Sequence, residues 1–499
     1  VYGVVRKGGF YALIEQTEKR YLHIVLVLAT HKVFAIKNIF LNDEIITESQ
    51  LDASGNVVAG KFSSKVRIKK YLGTDTQSTD ADLLAAGIAD INSNFRLRGC
   101  AYIYVRLDYD QNVFPSGIPN ISADVWGKEC FDPRTSTVKF TTNPVLYLYD
   151  FLTNTRFYGK ALPIGDIDTA SFISEANICD AIVNTKTVTL TVSAVDIVAN
   201  SFSFADATIG LQTGDRVQIN STGSMPAGLV AGTNYYAIVD CTRKSPSVRL
   251  SSSLNNALAG TAIDISSAGS GVITIIKNGE PRYSANGVFD TATTDAEIIS
   301  KLCSSFKGNI FAPGGYWYVR AGSWNAPTVS FNEDNFVEGI TLNTKISRSD
   351  RFNGVRGTYI SPLHDDQATD YPFIKSAGYE AEDLNSRILA DFDLPFTTRS
   401  QTAQRLAKIH LLENRRQISL SVTVDLSGLK VQAGDIVNIS YARYGWVNKT
   451  FRVECWTLTT LGDPVPALVA KLELREIDAN VYVFDELTEE VIPNKPPST

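Results

Sequence analysis

Leu97-Arg-Gly-Cys-Ala-Tyr-Ile-Tyr-Val-Arg-Leu-Asp-Tyr109 alternates cleanly through its second half: Tyr102, Tyr104, Arg106 and Asp108 fall on one side of an extended chain, and Ile103, Val105 and Leu107 on the other. A repeat of two is that of a pleated strand, and aromatic and β-branched side chains suit its surface. The same reading extends outward. Residues 21–40 are apolar and alternating (Tyr21, Ile24, Leu26, Leu28, then Val33, Ile36, Ile39), which predicts paired strands with a turn near Thr30–Lys32 and a further turn at Asn42-Asp43. Helices are fewer. Asn143 is placed to cap a helix opening on Pro144 and carrying Leu146, Tyr149 and Leu152. Asp168 is placed to cap Thr169 to Asp180, with Phe172, Ile173 and Ala176 on one face, and Ser400 to cap a helix through Arg415 with Ala403, Leu406, Ala407, His410 and Leu411 in a stripe. A fourth helix is expected around Asp295 to Phe306. The fold class is β-rich α+β.

A chain of 499 residues is too long for one core, so several domains are expected. Residues 186–277 stand apart: they are rich in Ser, Thr, Ala, Gly and Asn, with Phe202, Phe204, Tyr235 and Tyr236 as the only aromatics. Short alternating stretches at 188–192, 217–219, 235–239 and 272–276 predict a small inserted β-domain with polar tips such as Ser266 to Gly271. The expected division is a first β-rich domain over 1–140, a helical connecting segment over 141–185, the insert over 186–277, and a second region over 278–485 holding the 400–415 helix and a C-terminal β-domain. A linker follows over 486–499, and Val1 in place of Met, with a single Met225, suggests a piece of a longer polypeptide. One short echo crosses these boundaries. Leu211-Gln-Thr-Gly-Asp-Arg-Val-Gln-Ile219 matches Val431-Gln-Ala-Gly-Asp-Ile-Val-Asn-Ile439, each a Gly-Asp turn leading into a strand; by itself it is common local chemistry rather than evidence of duplication.

Composition narrows the function. Lys plus Arg is 47 against 53 for Asp plus Glu, a net charge of −6, which gives no footprint for nucleic-acid binding. The basic run Lys65, Arg67, Lys69 and Lys70 alternates with Val66 and Ile68 and reads as a solvated strand face. Cysteines at 100, 130, 179, 241, 303 and 455 lack the spacing of a disulfide framework or zinc site and fit a reducing cytoplasm; Cys179 and Cys303 read as small buried hydrophobes. No apolar run is long enough to span a bilayer, and no signal peptide is legible.

Catalytic chemistry has few places to sit. The paired carboxylates are Asp108 with Asp110, Asp166 with Asp168, and Asp365 with Asp366 beside His364; they read respectively as a strand end, a helix start and a polar loop. The remaining histidines are His23 and His31, which could lie close together in the first sheet, and His410 on a helix stripe, read as a core histidine. Gly314-Gly315 reads as a turn between strands, and Asn332-Glu-Asp-Asn335 as a solvated turn lacking the spacing of a calcium loop. No catalytic, cofactor-binding or metal-binding residue is assigned, and the chain is not expected to be an enzyme.

Several ordered segments resemble the hub proteins of phage tail tips, the family called tip attachment protein J or host specificity protein. They are Tyr21-Leu-His-Ile-Val-Leu-Val-Leu-Ala-Thr-His-Lys-Val33, Leu97 to Val105, Phe131-Asp-Pro-Arg-Thr135, Asn143 to Arg156 and Ala176-Asn-Ile-Cys-Asp180. After the insert come Arg282 to Thr291, Gly314 to Gly322, Arg351 to Thr358, Leu394-Pro-Phe-Thr-Thr398 with Ala403 to Ala407, and Val431 to Phe451. The resemblance implies tandem β-barrel or sandwich hub domains in a homotrimer that closes the tail tube of a long-tailed phage virion. Its implied partners are the distal tail protein ring, the end of the tape-measure protein, and other tail-tip and fibre proteins; it meets the host surface only indirectly, and opens for genome passage. The insert resembles small β-modules of phage structural proteins through Met225-Pro-Ala-Gly-Leu229, Gly232 to Tyr236 and Asn256 to Ala262. Two other functions are weighed against the hub: an adhesin binding a receptor or glycan through the insert, disfavoured by the insert's shortage of aromatics, and a cell-wall hydrolase, disfavoured by the lack of a distinctive carboxylate pair.

Overall fold

The strand at Ala101–Asp108 organises the first module. It lies between Tyr21–Ala29 and Val66–Leu72 in a four-stranded antiparallel sheet whose outer strand is Phe10–Thr17. Ile103, Val105 and Leu107 enter a core shared with a second sheet of Val4–Lys7, Ile121–Trp126, Ala35–Leu41 and Glu44–Ile46. Tyr102 and Tyr104, on the opposite face, are fully buried too, beneath Leu83 and the 88–97 segment. The computed structural model describes residues 1–155, 159–206, 209–241, 246–290, 292–462 and 466–493; of the linker expected over 486–499, the part from 494 onward lies outside the described residues, and 486–493 is not a free linker but is bonded to Gln404 and Lys408.

Two expectations for this module are corrected. Tyr21–Ala29 and Ala35–Leu41 are not hairpin partners: they belong to opposite sheets, and the chain crosses the sandwich at residues 30–34. Both strands bury side chains on successive positions, and such runs do not distinguish a neighbour in the sheet from a strand facing it across the core. His23 and His31 are not close either: His23 lies near the start of Tyr21–Ala29, a span of about 20 Å to the strand's far end at the rise of a strand, and His31 follows beyond that end. The turn at Asn42-Asp43 is present, with positive φ at both residues (49° and 64°), joining 35–41 to 44–46.

Seven α-helices occur among the described residues: α1 (Ala81–Ala85), α2 (Pro144–Thr153), α3 (Thr169–Asp180), α4 (Leu254–Leu258), α5 (Asp295–Ser304), α6 (Ala377–Glu382) and α7 (Ser400–Arg415). Asn143 caps α2 by accepting from the amides of Val145 and Leu146, and Asp168 caps α3 through Ala170. Thr294 and Glu297 form a capping box on α5. Four of these helices, α2, α3, α5 and α7, share one core with Tyr147, Phe151, Phe172, Leu302, Phe396 and Leu406. At α7 the expectation is off by one: Ser400 is the first helical residue, and Arg399 holds the cap position without a side-chain capping bond. Its guanidinium is used elsewhere, as described below.

Two β-units attach to this helical body. Ile182–Asp196, Ser201–Phe204, Ser247–Ser251, Asn234–Cys241, Arg216–Ser221 and Ile273–Pro281 close into a barrel around Phe202, Val217, Ile219, Val248 and Ile275. Closure leaves no unpaired edge. The second unit is a six-stranded sheet, ordered Val329–Phe331, Ile436–Tyr441, Trp446–Leu461, Ala467–Glu476, Ser419–Val424, Thr341–Asn343, packed on Phe331, Val437, Phe451 and Leu472.

Candidate functional site: two arginine-docked turns

The two copies of the echo fold identically, one in each β-unit. In the barrel, the Gln212 amide donates to Asp215 Oδ2 at 2.9 Å, and the Asp215 amide donates back to the Gln212 carbonyl at 3.1 Å. In the six-stranded sheet, the Gln432 amide donates to Asp435 Oδ2 at 3.1 Å, and the Asp435 amide returns to Gln432 O at 3.1 Å. Each loop carries a glycine at positive φ, 93° at Gly214 and 87° at Gly434, which a side chain would disfavour. Each glycine amide then donates to the neighbouring strand, to Ala237 O at 2.9 Å and Val453 O at 2.7 Å. One carboxylate oxygen thus takes the turn amide, and the other is presented outward.

In both units the outward oxygen receives an arginine of the helical body. Arg399 donates to Asp215 Oδ1 through Nη2 (2.9 Å) and Nε (3.1 Å). Arg320 donates to Asp435 Oδ1 through Nη2 at 3.0 Å. The carbonyl just before each glycine is also taken by the body: Thr213 O accepts from Arg399 at 3.1 Å, and Ala433 O from the Tyr318 hydroxyl at 2.6 Å. Fixed acceptors of this kind suit a guanidinium, whose planar donors lose little freedom on binding.

The surroundings differ. The barrel joint is fully enclosed: Arg399 and Asp215 meet Lys277, which lies 3.1 Å from Asp215 and 3.3 Å from Glu280, and Arg405 and Thr402 approach Glu280 at 3.7 and 3.1 Å. Burial alone would raise the Asp215 carboxyl, but Lys277 and Arg399 hold it below the ordinary value. Gln212 adds two bonds to Thr398. The second joint is half open, with the Arg320 side chain 24% exposed and Glu175 at 3.8 Å as its other carboxylate. Burial raises the Glu175 carboxyl, though it accepts from the Ala321 amide at 2.9 Å.

The candidates read from sequence serve structural ends. Asp108 chelates Arg20 at 2.6 and 2.7 Å, and Asp110 pairs with Lys65 at 3.0 Å. The Asp166 carbonyl accepts from Trp317, and Asp168 caps α3. Asp365 lies 3.7 Å from Arg6, and His364 bonds Ser361 at 2.9 Å. His23 is held between Thr17 and Tyr104, His31 bonds the Lys32 carbonyl, and His410 stacks on Phe392 at 4.6 Å. Burial first, and then Lys307, lower the His410 imidazole to about 4, so it is neutral near pH 7. Burial pushes the Cys303 thiol up to about 12. The basic strand is neutralised rather than merely solvated: Arg67 and Lys69 pair with Asp82, and Lys70 with Glu48. Asn332 caps its short turn, and Gly314-Gly315 turn the chain between Asn309–Phe311 and Tyr318–Arg320. Among the described residues, no group of three or more His, Cys, Asp or Glu is arranged to hold a metal ion, and no helix is long and apolar enough to cross a membrane.

A titratable group that sequence reasoning missed is Asp124, on the face of the first module that meets the barrel. Burial raises its carboxyl to about 6, partly offset by the Asn38 amide at 2.8 Å, which also reaches Asp240 O of the barrel at 2.9 Å. Its strand position signals nothing of this, because the burial comes from a module distant in sequence.

Comparison with known proteins gives these joints a context. Residues 295–455, which carry Arg320 and Asp435, match a family described as "Putative phage tail protein". Baseplate hub protein pb3 of Escherichia phage T5 is 21% identical over 368 residues, 73% of this chain but only 30% of that relative's length. A chain from the virion of a native gene transfer agent particle shares the fold at a TM-score of 0.50 and 12% identity, covering 98% of this chain and 86% of its own. These likenesses support a structural protein of a phage tail or baseplate.

Proposed function

We propose that the chain is the hub at the tip of a long-tailed phage's tail, a homotrimer of the tip attachment protein J type that closes the tube and opens for genome passage. The observation that carries this reading is the fold shared over 98% of the chain with a component of a phage-like virion. The first β-sandwich (1–140), the helical segment (141–185) and the second region (278–485) form the ring in this reading, and the 186–277 insert, whose barrel strands reach out to Ile182 and Pro281, decorates its outside. The ring meets the distal tail protein above, the tape-measure protein within and fibre proteins at its lower end. A trimer beneath a six-fold tube must offer two similar surfaces per subunit, a part that the first β-sandwich and the six-stranded sheet take in this reading. Assembly takes place in the bacterial host cytoplasm before incorporation into the virion. Cryo-electron microscopy of the particle tip, with native mass spectrometry of the released protein, tests the proposal: a three-fold ring at the tube end is expected, and a stable monomer absent from the tip overturns it.

A further inference from the structure

The barrel joint is closed by a piece of chain that belongs to neither the barrel nor the helical core. Residues 485–493 run along α7 to the start of the first barrel strand. The Gln404 side chain clamps this segment by donating to Val491 O at 2.8 Å and accepting from the Val491 amide at 2.9 Å. Lys408 chelates Glu489 at 2.6 Å. On the barrel side, the Lys186 amide donates to Glu490 Oε2 at 2.8 Å, and Lys186 Nζ to Glu490 O at 2.5 Å.

Two features make this attachment unusual. Its deepest residue is an acid: Glu490 is 1% exposed, whereas Leu487, Val491 and Ile492 are 76%, 52% and 45% exposed. The segment is therefore held by polar bonds rather than apolar burial, the condition of an element that opens locally while the core stays folded. Glu490 is also the segment's tie to the barrel. Burial raises its carboxyl, and the Lys186 amide it accepts from and the nearby Lys277 oppose that rise.

We propose that residues 485–493 are a releasable strap: seated, Gln404 and Lys186 hold it between α7 and the barrel and the barrel is rigidly docked; unseated, those bonds are lost and the barrel loosens from the body. Hydrogen–deuterium exchange of the full chain tests this. Glu490→Ala removes the acceptor of the Lys186 amide, and is expected to accelerate exchange at 182–184 and 212–221 on the order of tenfold while α2 and α3 are unchanged. Lys408→Ala, a milder change at a partly exposed side chain, is expected to produce a few-fold acceleration at the same amides, and decides the matter alone if Glu490→Ala does not fold. Unchanged barrel exchange in the variants that fold, or equal acceleration in α2 and α3, overturns the proposal.

Discussion

The barrel joint and the six-stranded-sheet joint use the same turn, the same carboxylate geometry and an arginine from the same helical body, yet differ in environment. At Asp215 every partner is buried and the charges form a closed network; at Asp435 the arginine remains a quarter exposed. Environment decides the strength of such a contact more than its geometry. An ion pair in water gains little, whereas removing one member of a buried network strands the others in a medium that cannot solvate them.

This difference can be broken by mutation. Asp215→Ala leaves Arg399 and Lys277 enclosed, and is expected to cost about 3–5 kcal/mol; Asp435→Ala is expected to cost about 1–2 kcal/mol, since Arg320 can turn to water. Calorimetry with exchange mapping checks both, and equal losses refute the contrast. The glycines invert the ranking. A Cβ on Gly434 would meet the Phe311 ring at 2.7 Å and Arg320 Cγ at 3.1 Å, whereas on Gly214 it meets the flexible end of Leu254 at 3.0 Å and Pro281 Cγ at an ordinary 3.8 Å. Backbone strain is common to both, so Gly434→Ala is expected to lose about 2–3 kcal/mol and Gly214→Ala about 1–2 kcal/mol in urea unfolding.

The smallest effect concerns pH and has opposite signs at the two joints. The Asp215 carboxyl is depressed in the folded state, so its contribution is present above the unfolded value and is lost as pH falls through the folded one. Glu175 is raised, so its folded state is favoured below the unfolded value and loses that advantage as pH rises through the folded one. Glu175→Gln is therefore expected to raise the melting temperature at pH 8 with little change at pH 4, and Asp215→Asn to lower it most at pH 7 and least in strong acid. Thermal melts across this range check the signs.

Much of the local structure was legible. The caps at Asn143 and Asp168, the turn at Asn42-Asp43 and the alternation of 101–108 all depend on chemistry within a few residues, and all appear as expected. The α7 boundary slipped by one because a serine beside an arginine looks like the better cap, while the arginine's actual role depends on Asp215, 184 residues away. The echo itself was legible too, but its partners were not, since nothing near Arg399 or Arg320 in the chain names the carboxylate each will meet.

Short stretches of sequence suffice for the β-rich class, the starts of α2, α3 and α5, the Gly-Asp turns and the ordered segments resembling tail hubs, because periodicity, caps and positive-φ glycines act over a few residues. The packed chain adds that Tyr21–Ala29 and Ala35–Leu41 lie in opposite sheets, that two matching turns become unequal joints, and that Glu490 meets the Lys186 amide of the barrel. Those outcomes depend on which surfaces are taken out of water together, a property of the packed chain rather than of any short stretch of it.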